Sequence, residues 1–103
     1  MKAVWNGAVI AESEDTVTIE NNEYFPPDSV NREYLVPSDT LYTSEWKGDC
    51  TYFALMVEGE ENKDAAWTYE YPPPAAIEKA GADFTNYMAF WRGVEVRSNN
   101  DND

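Results

Sequence analysis

Apolar and polar residues alternate with a period of two over short stretches of this chain, and turn-forming residues break the stretches. That is the pattern of antiparallel strands half buried against a core. Ala3-Val4-Trp5 and Ala8-Val9-Ile10 flank Asn6-Gly7. Both central residues of a type I′ turn need positive φ, so this dipeptide predicts an opening hairpin. Val17-Thr18-Ile19-Glu20 alternates in the same way, and Asn21-Asn22 is expected to turn it towards Glu23-Tyr24-Phe25. Pro26-Pro27-Asp28-Ser29 halts the sheet and predicts a helix of about two turns, N-capped by Asp28 or Ser29 and ended before Pro37. Val30 and Tyr34 would share one face of it.

The second half repeats the pattern. Thr40 to Trp46 and Thr51 to Val57 read as strands, and the second is apolar on both faces, as a central strand should be. Glu58-Gly59-Glu60-Glu61-Asn62-Lys63 reads as a polar loop, with Ala65 to Tyr69 as the antiparallel return. Pro72 to Pro74 forbid further pairing and allow a short helix from Pro74 through Lys79, with Gly81 as its stop. Tyr87 to Trp91 and Val94 to Val96 look like closing strands around Gly93. The expected class is mainly β, a bent pair of antiparallel sheets with one or two short helices.

Length and composition narrow this. A chain of 103 residues with 43% apolar content is expected to form a single mainly-β domain over residues 1–97. Residues 98–103 offer nothing to bury and should form a flexible acidic tail. Twenty acidic against seven basic residues give a net charge of −13, and such a field repels phosphate backbones and anionic lipids. Nucleic acid and membrane are therefore not expected partners, and the expected state is a monomer or homodimer. Met1-Lys2-Ala3-Val4-Trp5 meets Asn6-Gly7 at once, without the basic and apolar regions of a secretion signal. A cytoplasmic location is the expectation. Cys50 is the one cysteine and histidine is absent. No disulfide can form within the chain, and no tetrahedral zinc site can be built from one thiolate without imidazoles.

Several words of this sequence occur together in a recognisable order. Phe25-Pro26-Pro27-Asp28-Ser29-Val30 is followed by Arg32-Glu33-Tyr34-Leu35, then by Trp46-Lys47-Gly48-Asp49-Cys50-Thr51-Tyr52. Asp64-Ala65-Ala66-Trp67 and Ala89-Phe90-Trp91-Arg92-Gly93-Val94 complete the set. From about Met1 to Val96 the chain resembles the bacterial domain of unknown function family 427, which also carries a nucleotidyltransferase-like label. The resemblance implies a tent-like pair of sheets leaning over a ligand groove, as in methionine sulfoxide reductase B and the thalidomide-binding domain of cereblon. Those relatives hold a structural zinc with four cysteines. This sequence lacks them, so no zinc is carried over and apolar packing must hold the apex.

The candidate chemistry sits in the same words. Trp46 can wall a pocket while Lys47 reaches an anionic group and Gly48 allows close backbone approach. Arg32, beside Glu33 on the first helix, and Arg92 near the last turn could join Lys47 in one positive spot. The ordinary alternative is an exposed ion pair for each. Glu33 is a general base only if desolvated. Tyr52, Trp67, Tyr69 and Trp91 are the aromatic candidates for a groove, although most tryptophans and tyrosines in so small a domain serve the core. Cys50 is a nucleophile only if a cation lowers its pKa. No phosphate-binding glycine motif accompanies the acidic pairs Glu14-Asp15 and Glu60-Glu61. The reading that results is a small-molecule binding module with an aromatic-lined groove and no cofactor. Its rivals are a low-activity, nucleotidyltransferase-like enzyme at the same groove and a protein-interaction domain.

Overall fold

A computed structural model describes residues 1–98; the expected tail from residue 99 onward lies outside the described residues. The chain is mainly β. Strands β1 (Lys2–Trp5) and β2 (Ala8–Glu12) form the opening hairpin, and Asn6 and Gly7 take φ of 51° and 79° as a type I′ turn requires. Strands β3 (Val17–Ile19) and β4 (Asn22–Tyr24) form a second hairpin. Its turn falls at Glu20-Asn21, one residue earlier than expected, with φ of 53° and 68°, because Ile19 pairs with Asn22 and draws that asparagine into the ladder.

The helix expected after Pro27 does not form. Two 3₁₀ turns, Pro27–Ser29 and Arg32–Tyr34, stand in its place, with neither Asp28 nor Ser29 capping a helix. Long-range pairing explains this. Val30 bridges Ala11 and the Asn31 N–H donates to the Ile10 carbonyl at 2.8 Å, so the chain between the turns is extended. Leu35 then enters a strand opposite Leu55, which removes Val30 and Tyr34 from any common helical face.

Strands β5 (Leu35–Ser44), β6 (Gly48–Val57), β7 (Glu60–Tyr69) and β8 (Met88–Phe90) make a four-stranded antiparallel sheet in that order. β6 is the central strand that its apolar faces suggested. β5 runs through Pro37, which lacks a donor but is tolerated on an edge strand. The expected loop of residues 58–63 shrinks to Glu58-Gly59, with φ of 49° and 81°; the polar residues after it keep their side chains towards solvent while their backbone pairs with β6. The closing strands do not pair with each other. β8 joins β7, and β9 (Glu95–Arg97) joins β1 to give a sheet in the order β2-β1-β9. The described residues thus form three small sheets, and the β3–β4 hairpin attaches to β8 where Phe25 and Met88 exchange hydrogen bonds of 2.8 and 2.9 Å.

The four-stranded sheet separates two cores. Leu55, Val57, Ala66, Met88 and Phe90 point to one side and meet Ala3, Ile10 and Ala11 of the first sheet. Cys50, Trp67, Tyr69 and Ala89 point to the other and meet Ile19 and Tyr24 of the second hairpin, Phe84, and Ala76 of the helix α1 (Pro74–Ala80). Gly81 ends α1 at φ 82°, as its position suggested. No helix among the described residues is long and apolar enough to cross a membrane.

Candidate functional site

On the second face of the sheet, strand alternation aligns the aromatic side chains. In β6, Cys50 and Tyr52 share a face; β5 sets Tyr42 opposite Cys50, and β7 sets Tyr69 opposite Cys50 and Trp67 opposite Tyr52. Trp91 follows β8 and packs edge-on against Trp67, with ring centroids 5.6 Å apart at 76°. Tyr24, fully buried, meets Trp67 edge-on at 6.1 Å, and the Trp67 Nε1–H donates to its hydroxyl at 3.1 Å. These groups border a cavity of about 360 Å³. Its lining comprises Tyr24, Tyr42, Tyr52, Trp67, Tyr69 and Trp91, together with Asn22 and Lys47. The volume lies within the range of small-molecule sites.

Lys47 comes from the β5–β6 turn, where its N–H donates to the Ser44 hydroxyl at 3.2 Å. Gly48 at φ +94° lets the chain pass beneath Pro73, Pro72 and the Tyr71 carbonyl; a Cβ there would lie 3.3 Å from Pro73 Cδ. The turn buries Lys47 to 7% exposure. Its Nζ lies 5.2 Å from the Trp46 ring and 5.3 Å from the Tyr69 ring, in the geometry of cation–π contacts. It also donates to the Glu20 carboxylate at the tip of the second hairpin. The Lys47 hydrogen bond is the main reason the Glu20 carboxyl sits below the usual range, with help from Lys47 charge, the Trp46 N–H and Lys79.

The rest of the wall is neutral. Burial pushes the Tyr24 hydroxyl up to about 12 and raises Tyr52 and Tyr69 above the ordinary tyrosine value. Burial also pushes the Cys50 thiol up, against the opposing pull of the Tyr69 and Tyr52 hydroxyls and of Lys47. Cys50 is thus a buried thiol held away from its nucleophilic form. Lys47 is therefore the one charged residue in the lining of this aromatic chamber.

Residues 1–101 match the model of a family described as domain of unknown function (DUF427). The chain belongs to the DUF427 family. No curated protein matches it. In this DUF427 domain the separated motifs converge: Lys47 and Tyr52 come from the Trp46 to Tyr52 word, Trp67 from the Asp64 to Trp67 word, and Trp91 from the Ala89 to Val94 word. Asp64 supports the last of these. Its carbonyl accepts the Trp91 Nε1–H at 2.5 Å, and its buried carboxylate accepts the Ser38 and Thr40 hydroxyls at 2.5 and 2.7 Å, tying the edge strand β5 to β7.

The nine side chains singled out by sequence are divided by the fold. Lys47, Tyr52, Trp67, Tyr69 and Trp91 line the cavity. Trp46 stands behind Lys47, half-buried, with Lys79 Nζ 4.5 Å from its ring. Arg92 lies over the Trp91 ring at 4.7 Å from a left-handed backbone position but does not line the cavity. Arg32 and Glu33 are exposed on the second 3₁₀ turn, at the Leu35 end of β5, whereas Lys47 adjoins its Ser44 end. A strand of this length spans roughly 30 Å. Arg32 therefore does not join Lys47 in one positive spot, Arg92 stays outside the lining, and Glu33 is exposed rather than desolvated at the cavity. Sequence reasoning passed over Glu20, Asn22 and Tyr42. The register of β5 against β6 would have found Tyr42, since it faces Cys50. Nothing local marks Glu20 off from other carboxylates on turns.

Proposed function

We propose that this DUF427 domain is a small-molecule binding module whose ligand lays a flat aromatic body in the cavity beside Lys47. One observation carries the reading: a lysine at 7% exposure borders a chamber of about 360 Å³ whose other walls are aromatic rings and one amide. Burying an ammonium is costly unless a partner is provided, and long charged side chains normally reach for solvent. Holding this one beside an open aromatic cavity supports a role in recognition. The nucleotidyltransferase-like alternative gains no group from the cavity, whose lining carries no carboxylate to hold magnesium. The protein-interaction alternative rests on Leu41 and Tyr71, exposed at 91% and 88% near the edge strand β5.

The experiment is a titration with small aromatic compounds followed by tryptophan fluorescence and amide resonance shifts, in the parent and in Lys47→Ala. Quenching with shifts at Trp67, Trp91 and Tyr52, weakened about tenfold or more in the variant, is the expected result; that factor corresponds to about 1.4 kcal/mol. Nucleoside triphosphates should show no turnover in either protein, with or without magnesium. Magnesium-dependent pyrophosphate release by the parent, falling by orders of magnitude in Lys47→Ala, would replace the binding reading with the enzymatic one. Shifts confined to Leu41, Tyr42 and Tyr71 would favour the interaction surface.

A further inference from the structure

We propose that the ligand is a small aromatic acid and that its anionic group takes the place of Glu20 on Lys47, so that Glu20 is the counter-ion the ligand displaces. The inference rests on the binding reading above and adds the ligand's chemical class and the exchange by which it enters. Three observations support it.

First, the polar groups at the cavity are donors with capacity to spare. Lys47 carries three N–H donors and gives one to Glu20. The Tyr24 hydroxyl accepts from Trp67, and among the described residues no acceptor receives its own hydrogen. Asn22 adds an amide, which can also donate. Hydroxyls and the amide can accept as well, but Lys47 can only donate, so a ligand acceptor suits it, and an anion does so best because hydrogen bonds to charged groups are the stronger ones.

Second, the two partners of the ion pair are unequal. The Lys47 side chain is 9% exposed, the Glu20 side chain 53%. Removing the partner of a buried charge is expensive, so Lys47 cannot simply be uncovered. Glu20 belongs to the Glu20-Asn21 hairpin turn and can pass into water with its charge solvated. Exchange of one carboxylate for another keeps Lys47 paired throughout.

Third, the charges facing Glu20 favour its present position only weakly beyond Lys47 itself. The Trp46 Nε1–H reaches it at 3.4 Å and Lys79 acts at longer range. An aromatic acid would gain the rings of Trp67, Tyr52 and Tyr69 in addition to the same ammonium, which Glu20 cannot do.

The test compares benzoate, phenyl phosphate and the neutral isostere benzamide by amide-shift titration of the parent, Glu20→Gln and Lys47→Ala. Glutamine fits the same turn and removes the competing charge. Apparent affinity scales with the fraction of sites not occupied by Glu20, so the acids should bind Glu20→Gln at least about fivefold more tightly, with benzamide changed by less than about twofold. The tighter of the two acids identifies the anionic group. In the parent saturated with acid, the Glu20 carboxyl resonance should titrate at higher pH than in the free protein, because Lys47 no longer holds it. Acid binding that requires Lys47 but is equal or weaker in Glu20→Gln overturns the exchange and leaves the binding module standing. Failure of all three probes with every variant overturns both.

Discussion

Asp64 shows how one residue can set the geometry of a site it does not line. It occupies a left-handed position, φ 56°, where the register of β7 against β6 shifts between Phe53 and Leu55. Aspartate and asparagine tolerate that conformation better than other residues with a Cβ. Hydrogen bonds from Ser38, then Thr40, hold its carboxyl below the ordinary aspartate value of 3.8, with lesser help from Lys63 and Arg92. Asp64→Asn keeps the backbone conformation but loses one charge-assisted acceptor and should cost about 1–2 kcal/mol, while Asp64→Ala adds left-handed strain and should cost about 2–4 kcal/mol. Urea unfolding at neutral pH gives the ranking. The sign of the pH dependence follows from a depressed carboxylate: its contribution is complete above pH 3.8 and fades as pH falls through the lower folded value. The gap between parent and Asp64→Asn should therefore narrow on acidification below that point. A gap that persists unchanged would mean that the carboxylate's charge is not what the two hydroxyls recognise.

At the scale of elements, what the sequence revealed depended on how local the controlling interaction was. Asn6-Gly7 was legible because the turn type needs positive φ at those two residues and little else. Pro74 and Gly81 bounded α1 for similarly local reasons. The absent helix between Pro27 and Pro37 was not legible, since capping signals at Asp28 and Ser29 lose to the Ala11–Val30 bridge and the Leu35–Leu55 pairing, which no local window contains. The site divides along the same line: Lys47, Tyr52, Trp67 and Trp91 lie in motif words and Tyr69 two residues beyond one, whereas Glu20 arrives from a distant hairpin. Gly48 joins the two scales, since its positive φ and the Pro73 ring above it fix the turn that buries Lys47. Gly7 also has positive φ but has nothing within 4 Å of where a Cβ would stand. Gly7→Ala should thus cost about 1 kcal/mol from backbone strain alone, and Gly48→Ala about 2 kcal/mol because the Pro73 ring, 3.3 Å from the new Cβ, must also give way. Thermal unfolding of the pair measures the difference, and equal losses would show that the Pro72–Pro73 segment yields without resistance.

For the whole molecule the dominant electrostatic fact is the imbalance of 20 acidic against seven basic residues. Among the described residues two ion pairs occur, Lys47 with Glu20 and Arg97 with Glu95. Lys47, Lys79 and Arg92 lie over the rings of Trp46, Tyr69 and Trp91, so part of the small stock of cations is directed at aromatic faces. Folding gathers most of the net charge of −13 onto a body with a radius of gyration of 13.3 Å, and the resulting self-repulsion opposes the compact state. Added salt should relieve it. Going from about 0.01 M to about 0.1 M shortens the screening length from about 30 to about 10 Å, which is enough to uncouple charges on opposite sides of the domain. If that recovers about 1 kcal/mol, Tm rises by ~4–8 °C for a domain of this size. Local ion pairs respond the other way, but an exposed pair such as Arg97–Glu95 contributes only about 0–1 kcal/mol, and the cation–π contacts of Lys47 are shielded by burial. Repulsion should therefore win, and Tm measured in sodium chloride should climb across this range. A fall would mean that specific pairing outweighs the net field in this domain.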